Sequence, residues 1–153
     1  MPRSGAINRA AFRRQRKFYF RGIAMAVRKN ELTVIMKAKD LCSYVVTVTQ
    51  KSPKQFRFTF VSRLQNLAMD VIENIYRANE VFIGAGRGSD PKKRLDFQHK
   101  ALTTLKILAY FAEMAMMQNC LLPKQYEQIA KLTSDCQHLL GAWINSDKKR
   151  LPS

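Results

Sequence analysis

The chain has 153 residues, of which 27 are lysine or arginine and 11 are aspartate or glutamate, so its formal net charge is +16. This length supports one domain with a substantial core, and the share of apolar residues excludes a disordered chain. No apolar run reaches the roughly 18–20 residues of a transmembrane helix, and no secretory signal is present. We therefore expect a cytoplasmic globular protein without a membrane partner, and its charge predicts a polyanionic ligand such as nucleic acid.

The first 30 residues are the most basic part of the chain, with nine basic residues and no acidic one. Arg13, Arg14, Arg16 and Lys17 stand among aromatic residues there. Cations neutralise phosphates and aromatic rings stack on unpaired bases, so these four residues are predicted to bind RNA. Three other interpretations remain open: a solvated tail, a membrane-surface or targeting segment, and an extension upstream of a native start at Met25.

Proline and glycine divide the rest of the chain into four amphipathic segments, which we predict to be helices. Two stretches resemble strands when read alone: the β-branched run Val45–Thr49 and the alternating Phe56, Phe58 and Phe60. Gly141 lies inside the last segment, where glycine is costly, and predicts a close contact with another helix. The predicted helices cover about 30–50, 55–80, 90–119 and 123–150.

Four such helices with two short connections predict an all-α fold, an antiparallel up-down four-helix bundle. The bundle would span residues 30–150, and residues 1–29 would form a basic, flexible N-terminal arm. The longest connection, residues 81–89, precedes Asp90 and Pro91, a cap residue followed by proline that is typical of a helix start.

No catalytic or metal-binding constellation stands out. His99 stands alone, and Cys136 and His138 do not share a helix face. The three cysteines match no zinc spacing, which favours reduced thiols in a core. The Gly84–Gly88 stretch resembles a phosphate-binding loop, but it follows a helix and lacks the Gly-Lys-Ser/Thr ending. We predict no enzyme activity, metal or cofactor, with an enzyme of an unsuspected type as a rival.

Three basic clusters lie outside the arm: one at the longest connection, one at the end of the chain, and one around the first helix–helix turn, which consists of Lys37, Lys39, Lys51, Lys54, Arg57 and Arg63. The first coincides with a predicted helix N-terminus, which favours anions. All three clusters are candidates for contact with RNA, and the first two are predicted to supply the phosphate ligands. These first two clusters consist of Arg87, Lys92, Lys93, Arg94, Lys148, Lys149 and Arg150.

The third predicted helix is apolar around more than one face. Tyr110, Phe111, Met114 and Met117 extend its apolar surface beyond a single stripe. Such residues commonly pack a core, but a helix that is apolar most of the way round needs a second partner surface. These four residues are therefore predicted to form an oligomer interface.

Several motifs between Leu32 and Arg150 match a known pattern. They are the leucines at 95, 102, 105 and 108, Val81-Phe82-Ile83-x-Ala85-Gly86, Leu122-Pro123-x-Gln125 and, most specifically, Leu139-Leu140-Gly141-x-Trp143-Ile144 before a basic tail. On these motifs the chain resembles the accessory variability determinant (Avd) family of diversity-generating retroelements. That family consists of small four-helix bundles related to S23 proteins, which are encoded by insertions in ribosomal RNA genes. Residues 1–30 depart from the pattern.

The resemblance implies a non-catalytic protein that forms a barrel-like homopentamer with a positively charged surface. It implies that the chain binds the retroelement's reverse transcriptase, its template-repeat RNA and the cDNA. It would thereby support error-prone cDNA synthesis and mutagenic retrohoming. The alternative is an S23-like bundle that binds structured ribosomal RNA and has no retroelement role.

Overall fold

The computed structural model describes residues 30–151, with side chains from residue 33 onward. This part of the chain contains four α-helices and no β-strand, as predicted. The Val45–Thr49 run belongs to the first helix, because the apolar periodicity upstream of it continues through it. The helices are α1 (Asn30–Thr49), α2 (Ser62–Glu80), α3 (Pro91–Met117) and α4 (Pro123–Arg150).

The segment before α2 differs from the expected regular helix. Lys54–Phe56 form a 3₁₀ turn and Arg57–Val61 a π-helical turn, in which the Ser62 N–H donates to the Arg57 carbonyl. The rings of Phe56 and Phe60 lie 6.0 Å apart and pack on the core, whereas Phe58 is 89% exposed. A helical turn places residues four apart on one face. Phe56 and Phe60 therefore face the core from one side of a helical turn while Phe58 points to solvent, which produces the alternation that resembled a strand.

The four helices enclose one core. Helix α1 packs on α2, α2 on α3, α3 on α4, and α4 returns to α1. Each helix buries an apolar stripe with three- and four-residue spacing, and burying one leucine or isoleucine side chain contributes about 1.5–3 kcal/mol. The largest fully buried apolar residues include Leu41, Leu64, Ile75, Leu105, Leu108, Ile129 and Leu140.

Polar contacts define the two ends of this helical assembly. At one end, the Ser52 hydroxyl donates to the Cys120 carbonyl at 2.9 Å, so the α1–α2 turn touches the α3–α4 turn. At the other end, Arg94 near the start of α3 contacts Asp147 in the last turn of α4 and the Val81 carbonyl just after α2. Helix α3 has 27 residues and is about 40 Å long, which sets the separation of the ends.

Gly141 does not mark a close helix contact, and that expectation is wrong. A Cβ atom built at this position meets no neighbouring atom within 4 Å. Within this chain, Gly141 is therefore a residue of low helix propensity without a packing reason. None of the helices in the described part combines the length and apolarity needed to cross a bilayer.

Candidate nucleic-acid interface

The loop between α2 and α3 holds Arg87 at the surface. The Asp90 N–H donates to the Phe82 carbonyl at 3.0 Å and closes the loop. Gly86 and Gly88 have φ angles of 119° and 88°, a region that side chains disfavour, so both positions require glycine. Arg87 lies between them and is exposed. The Gly-rich segment is thus a turn that carries one arginine.

Helix α3 begins at the predicted cap. The Asp90 side chain accepts a hydrogen bond from the Lys93 N–H at 3.0 Å, and Pro91 occupies the first helical position. The Asp90 carboxylate therefore already supplies the negative charge that a helix N-terminus favours. Lys92 and Lys93 are exposed beside it. A phosphate at this end would meet these side-chain cations rather than uncapped backbone N–H groups.

Arg94 is not a surface cation, which corrects its predicted role as a phosphate ligand. The residue is 6% exposed. Its Nε and Nη2 donate to the two carboxylate oxygens of Asp147 at 2.7 and 3.0 Å, and Nη1 donates to the Val81 carbonyl at 3.4 Å. Its guanidinium carbon lies 4.9 Å from the centroid of a Trp143 ring. Arg94 is therefore an interior residue that holds α2, α3 and α4 together.

Asp147 accepts hydrogen bonds from two side chains and forms an ion pair with a third. Besides the Arg94 fork, Gln98 Nε2 donates to Oδ2 at 2.8 Å, and Arg150 Nη2 lies 3.5 Å from Oδ1. A buried ion pair is tolerated only when such additional hydrogen bonds satisfy its polar atoms. Trp143 stacks on this cluster and is 2% exposed, so it belongs to the core.

The ion pair joins two clusters that are far apart in sequence. Arg94 and Asp147 are separated by 53 positions, yet they are in direct contact. The cations that flank them in sequence consequently occupy the same end of the molecule, and all are exposed. We call this group the basic end, and it consists of Arg87, Lys92, Lys93, Lys148, Lys149 and Arg150.

A groove of about 570 Å³ borders the basic end. It is lined by Lys93 and by the half-exposed rings of Tyr76 and Phe82, but also by Glu80 and Asp90. Its charge is therefore mixed, and the carboxylates oppose a phosphate inside it. The exposed lysines and arginines outside the groove offer the stronger attraction for a polyanion.

The four predicted interface residues separate into two groups. Tyr110, Met114 and Met117 are 70%, 49% and 67% exposed, and their spacing places them on one face of α3. Phe111 instead packs on the core of its own chain, where the Arg63 guanidinium lies 5.6 Å from its ring centroid. Three of the four side chains thus form an exposed apolar face, whereas Phe111 belongs to the edge of the core.

The remaining predicted RNA ligands, Arg13, Arg14, Arg16 and Lys17, lie outside the described residues. Among the residues described, no group of three or more histidine, cysteine or acidic side chains is placed to hold a metal ion.

The cysteines show no sign of an activated thiol. Burial raises the pKa of Cys42 and of Cys120, where a hydrogen bond from the Ser52 side chain lowers it in part. Burial, supported by the nearby carboxylate of Asp135, raises the pKa of Cys136 to about 12. These thiols are therefore protonated at neutral pH, whereas a nucleophilic cysteine requires a depressed pKa.

Sequence reasoning missed the ion pair, although the sequence contains a signal for it. Arg94 and Gln98 continue the spacing of the buried residues Ala101 and Leu105, so they fall on the core face of α3. Asp147 continues the buried stripe of α4 in the same way. Opposite charges in two core stripes predict a buried pair, because an unpaired charge there is strongly unfavourable.

The fold is similar to that of a solved structure. The chain is similar to a protein of unknown function from the S23 ribosomal protein family of Bacteroides thetaiotaomicron VPI-5482, with a TM-score of 0.64 and 16% sequence identity. The match covers 76% of this chain and 99% of that one. No protein-family model matches the sequence, and a search of curated proteins finds no match. At this identity, the similarity establishes the helical fold alone.

Proposed function

We propose that this protein is a non-catalytic, RNA-binding accessory protein of a diversity-generating retroelement. In this role it binds the reverse transcriptase and the template-repeat RNA and supports error-prone cDNA synthesis and mutagenic retrohoming. The observation that carries the proposal is the basic end. The Arg94–Asp147 pair brings six exposed cations from two distant parts of the chain to one end of the molecule.

The charge of that surface suits a phosphate backbone. Each phosphate that a cation neutralises releases counterions, so affinity depends steeply on salt. If all six cations engage a single strand, the logarithm of affinity falls with the logarithm of salt with a slope of roughly −4. Affinity would then drop by more than about a hundredfold between 50 and 200 mM salt. Such binding needs no catalytic group, and the polymerase supplies the chemistry.

Oligomerisation is part of the proposal. In a homopentamer of antiparallel up-down bundles, five copies of the basic end would act on one RNA, so that weak phosphate contacts combine. The exposed face of Tyr110, Met114 and Met117 is the surface proposed for contacts between copies. The cations of residues 1–29 would add to the RNA contacts, and the complex would assemble in the cytoplasm.

The motifs shared with the Avd family and the S23-family fold both support this assignment. The fold similarity also favours a second candidate, an S23-like bundle that binds structured ribosomal RNA without a retroelement. The two candidates differ in their genetic context. A reverse transcriptase gene and a template/variable repeat pair beside this gene support the first candidate, and their absence favours the second.

Co-purification tests the proposal directly. The chain is expressed with the adjacent reverse transcriptase and its non-coding RNA, and the complex is analysed by size exclusion with light scattering. We expect a salt-sensitive complex that contains all three components, with a mass that gives the number of copies. A chain that elutes alone as a monomer at low salt contradicts the retroelement role.

A further inference from the structure

The end of the bundle opposite the basic end carries an exposed aromatic ring among cations. Phe58 belongs to the π-helical turn and is the most exposed of the large apolar residues described, at 89%. Lys54 and Arg57 are exposed on the same short segment. The neighbouring rings of Phe56 and Phe60 pack on the core, so the fold uses those two rings and leaves the third in solvent.

A groove of about 550 Å³ lies beside Phe58. None of the residues that line it is acidic, which distinguishes it from the groove at the basic end. Its walls include the cations Lys54 and Arg57 and three amide side chains, Gln50, Gln65 and Asn66. Cations, amides and an aromatic ring are the side chains that contact phosphates, base edges and base faces.

One of these amides is held in a defined orientation. The Thr49 hydroxyl donates its proton to the Val45 carbonyl at 2.6 Å and accepts from Gln65 Nε2 at 2.9 Å. Because the hydroxyl has one proton, which Val45 receives, the atom of Gln65 that faces it must be the nitrogen. The amide oxygen is therefore left as the acceptor for other donors, such as the exocyclic amine of a base.

We infer that this groove binds an unpaired base of a single-stranded nucleic acid, with Phe58 stacked on the base and Lys54 and Arg57 on the adjacent phosphates. The inference rests on the proposed nucleic-acid-binding function and assigns it a second contact. Bases within a duplex hide their faces from a side chain, so a stacking residue selects unpaired strands. π-Helical turns also occur frequently at functional sites.

Fluorescence anisotropy of the full chain tests the inference. The probes are labelled 12-nucleotide single strands of RNA and of DNA with the same sequence, and the matching duplex, at low salt. Loss of one stacked base reduces affinity by roughly 5- to 150-fold. We expect Phe58→Ala to show this loss with single strands and to leave duplex affinity unchanged. The RNA and DNA arms identify which strand the groove prefers.

Two further variants serve as controls. Phe58→Tyr keeps a stacking ring, and we expect it to retain wild-type affinity. A variant of the basic end, Lys92→Ala/Lys93→Ala/Lys148→Ala/Lys149→Ala, is expected to lose affinity for single strands and duplex alike. Because Phe58 is exposed, its replacement should preserve the circular dichroism spectrum and melting temperature. A 2-aminopurine base in the single strand reports stacking independently, through quenching that Phe58→Ala abolishes.

The possible results separate this inference from the proposed function. Unchanged single-strand affinity in Phe58→Ala overturns the inference, as does an equal loss for the duplex. If the wild-type chain binds duplex but not single strands, the inference alone fails. If it binds no nucleic acid, both fail. If Phe58→Ala lowers the mass of the assembly in light scattering while single-strand affinity is unchanged, Phe58 belongs to a protein interface instead.

Discussion

At the end where α2, α3 and α4 meet, carboxylates and cations are interleaved, whereas the groove beside Phe58 at the other end is lined by cations and amides without a carboxylate. At the first end, Asp90 caps a helix and Asp147 neutralises a buried arginine. Some of the charged groups at that end therefore stabilise the fold, and the others face solvent. At the second end, no lining residue offsets Lys54 and Arg57.

This difference shows that a cluster of positive charges in the sequence does not identify a binding surface until the carboxylate partners of those charges are known. Arg94 stands next to Lys92 and Lys93 in sequence, yet only the lysines face solvent. A cation that is itself buried against a carboxylate contributes to stability, whereas an exposed cation can meet an external anion. The two ends should therefore respond differently to substitution.

The largest expected effect is a loss of stability when the buried Arg94–Asp147 pair is disrupted. Asp147→Asn keeps the shape of the side chain but leaves Arg94 buried without its counter-charge, which should cost about 3–5 kcal/mol of the free energy of unfolding. Urea denaturation measures this loss. The double variant Arg94→Met/Asp147→Leu should recover most of the stability, because a well-packed apolar pair replaces the ion pair. Equal instability of the single and double variants would contradict the role of the pair.

A second change keeps the fold and removes surface charge. The basic-end variant described above should weaken RNA binding roughly a hundredfold at low salt and reduce the salt slope by about 3. The matched control Lys100→Ala/Lys106→Ala/Lys124→Ala/Lys131→Ala removes the same charge from exposed positions elsewhere. Titrations at several salt concentrations compare the two. A similar loss in both would mean that net charge, rather than the basic end, determines binding.

A third effect concerns the core between the two ends. The folded state holds the pKa of Cys136 at about 12, against an ordinary value of 9.0. Its stabilising contribution is complete below pH 9 and declines as pH rises, since the unfolded thiol ionises first. By pH 10 the loss should be about 1.4 kcal/mol. The free energy of unfolding of wild type and of Cys136→Ala, measured from pH 8 to 10, isolates this pH dependence, and equal pH slopes in the two proteins would refute it.

The smallest expected effect is an increase in the free energy of unfolding. Gly141→Ala places a methyl group where no neighbouring atom lies within 4 Å, so the higher helix propensity of alanine should raise stability by up to about 1 kcal/mol. Thermal unfolding measures it. A loss of stability, together with a smaller assembly in light scattering, would instead indicate that Gly141 contacts a second copy of the chain.

The helices were predictable because each carries a long apolar stripe, and because proline or glycine separates one stripe from the next. Asp90 and Pro91 signalled the start of α3 for a local chemical reason, the capping of N–H groups. The π-helical turn was not predictable from periodicity, since the alternation of Phe56, Phe58 and Phe60 fits a strand or an irregular helix equally. Tertiary packing of the two outer rings decides between them.

The candidate sites were less accessible from sequence than the fold. The exposed lysines of the basic end were identified by composition, but their proximity depends on a contact across 53 positions. The same composition led to the error at Arg94, because neighbouring charges in sequence do not share a face of a helix. The cations of the groove beside Phe58, Lys54 and Arg57, belong to a basic cluster that the sequence shows at the first helix–helix turn. The groove itself joins the end of α1 to the start of α2, and its shape depends on tertiary packing.

The Arg94–Asp147 pair affects the register in which α3 packs against α4. Leucine-rich faces attract one another without direction, so two such helices can slide by one turn, about 5.4 Å, and still bury apolar surface. A two-pronged ion pair with fixed distances is satisfied in a single alignment. We therefore expect this pair to select one register of α3 against α4. That register also sets the spacing between the lysines of α3 and those of α4, and this spacing determines which phosphates of one backbone the two helices can contact together.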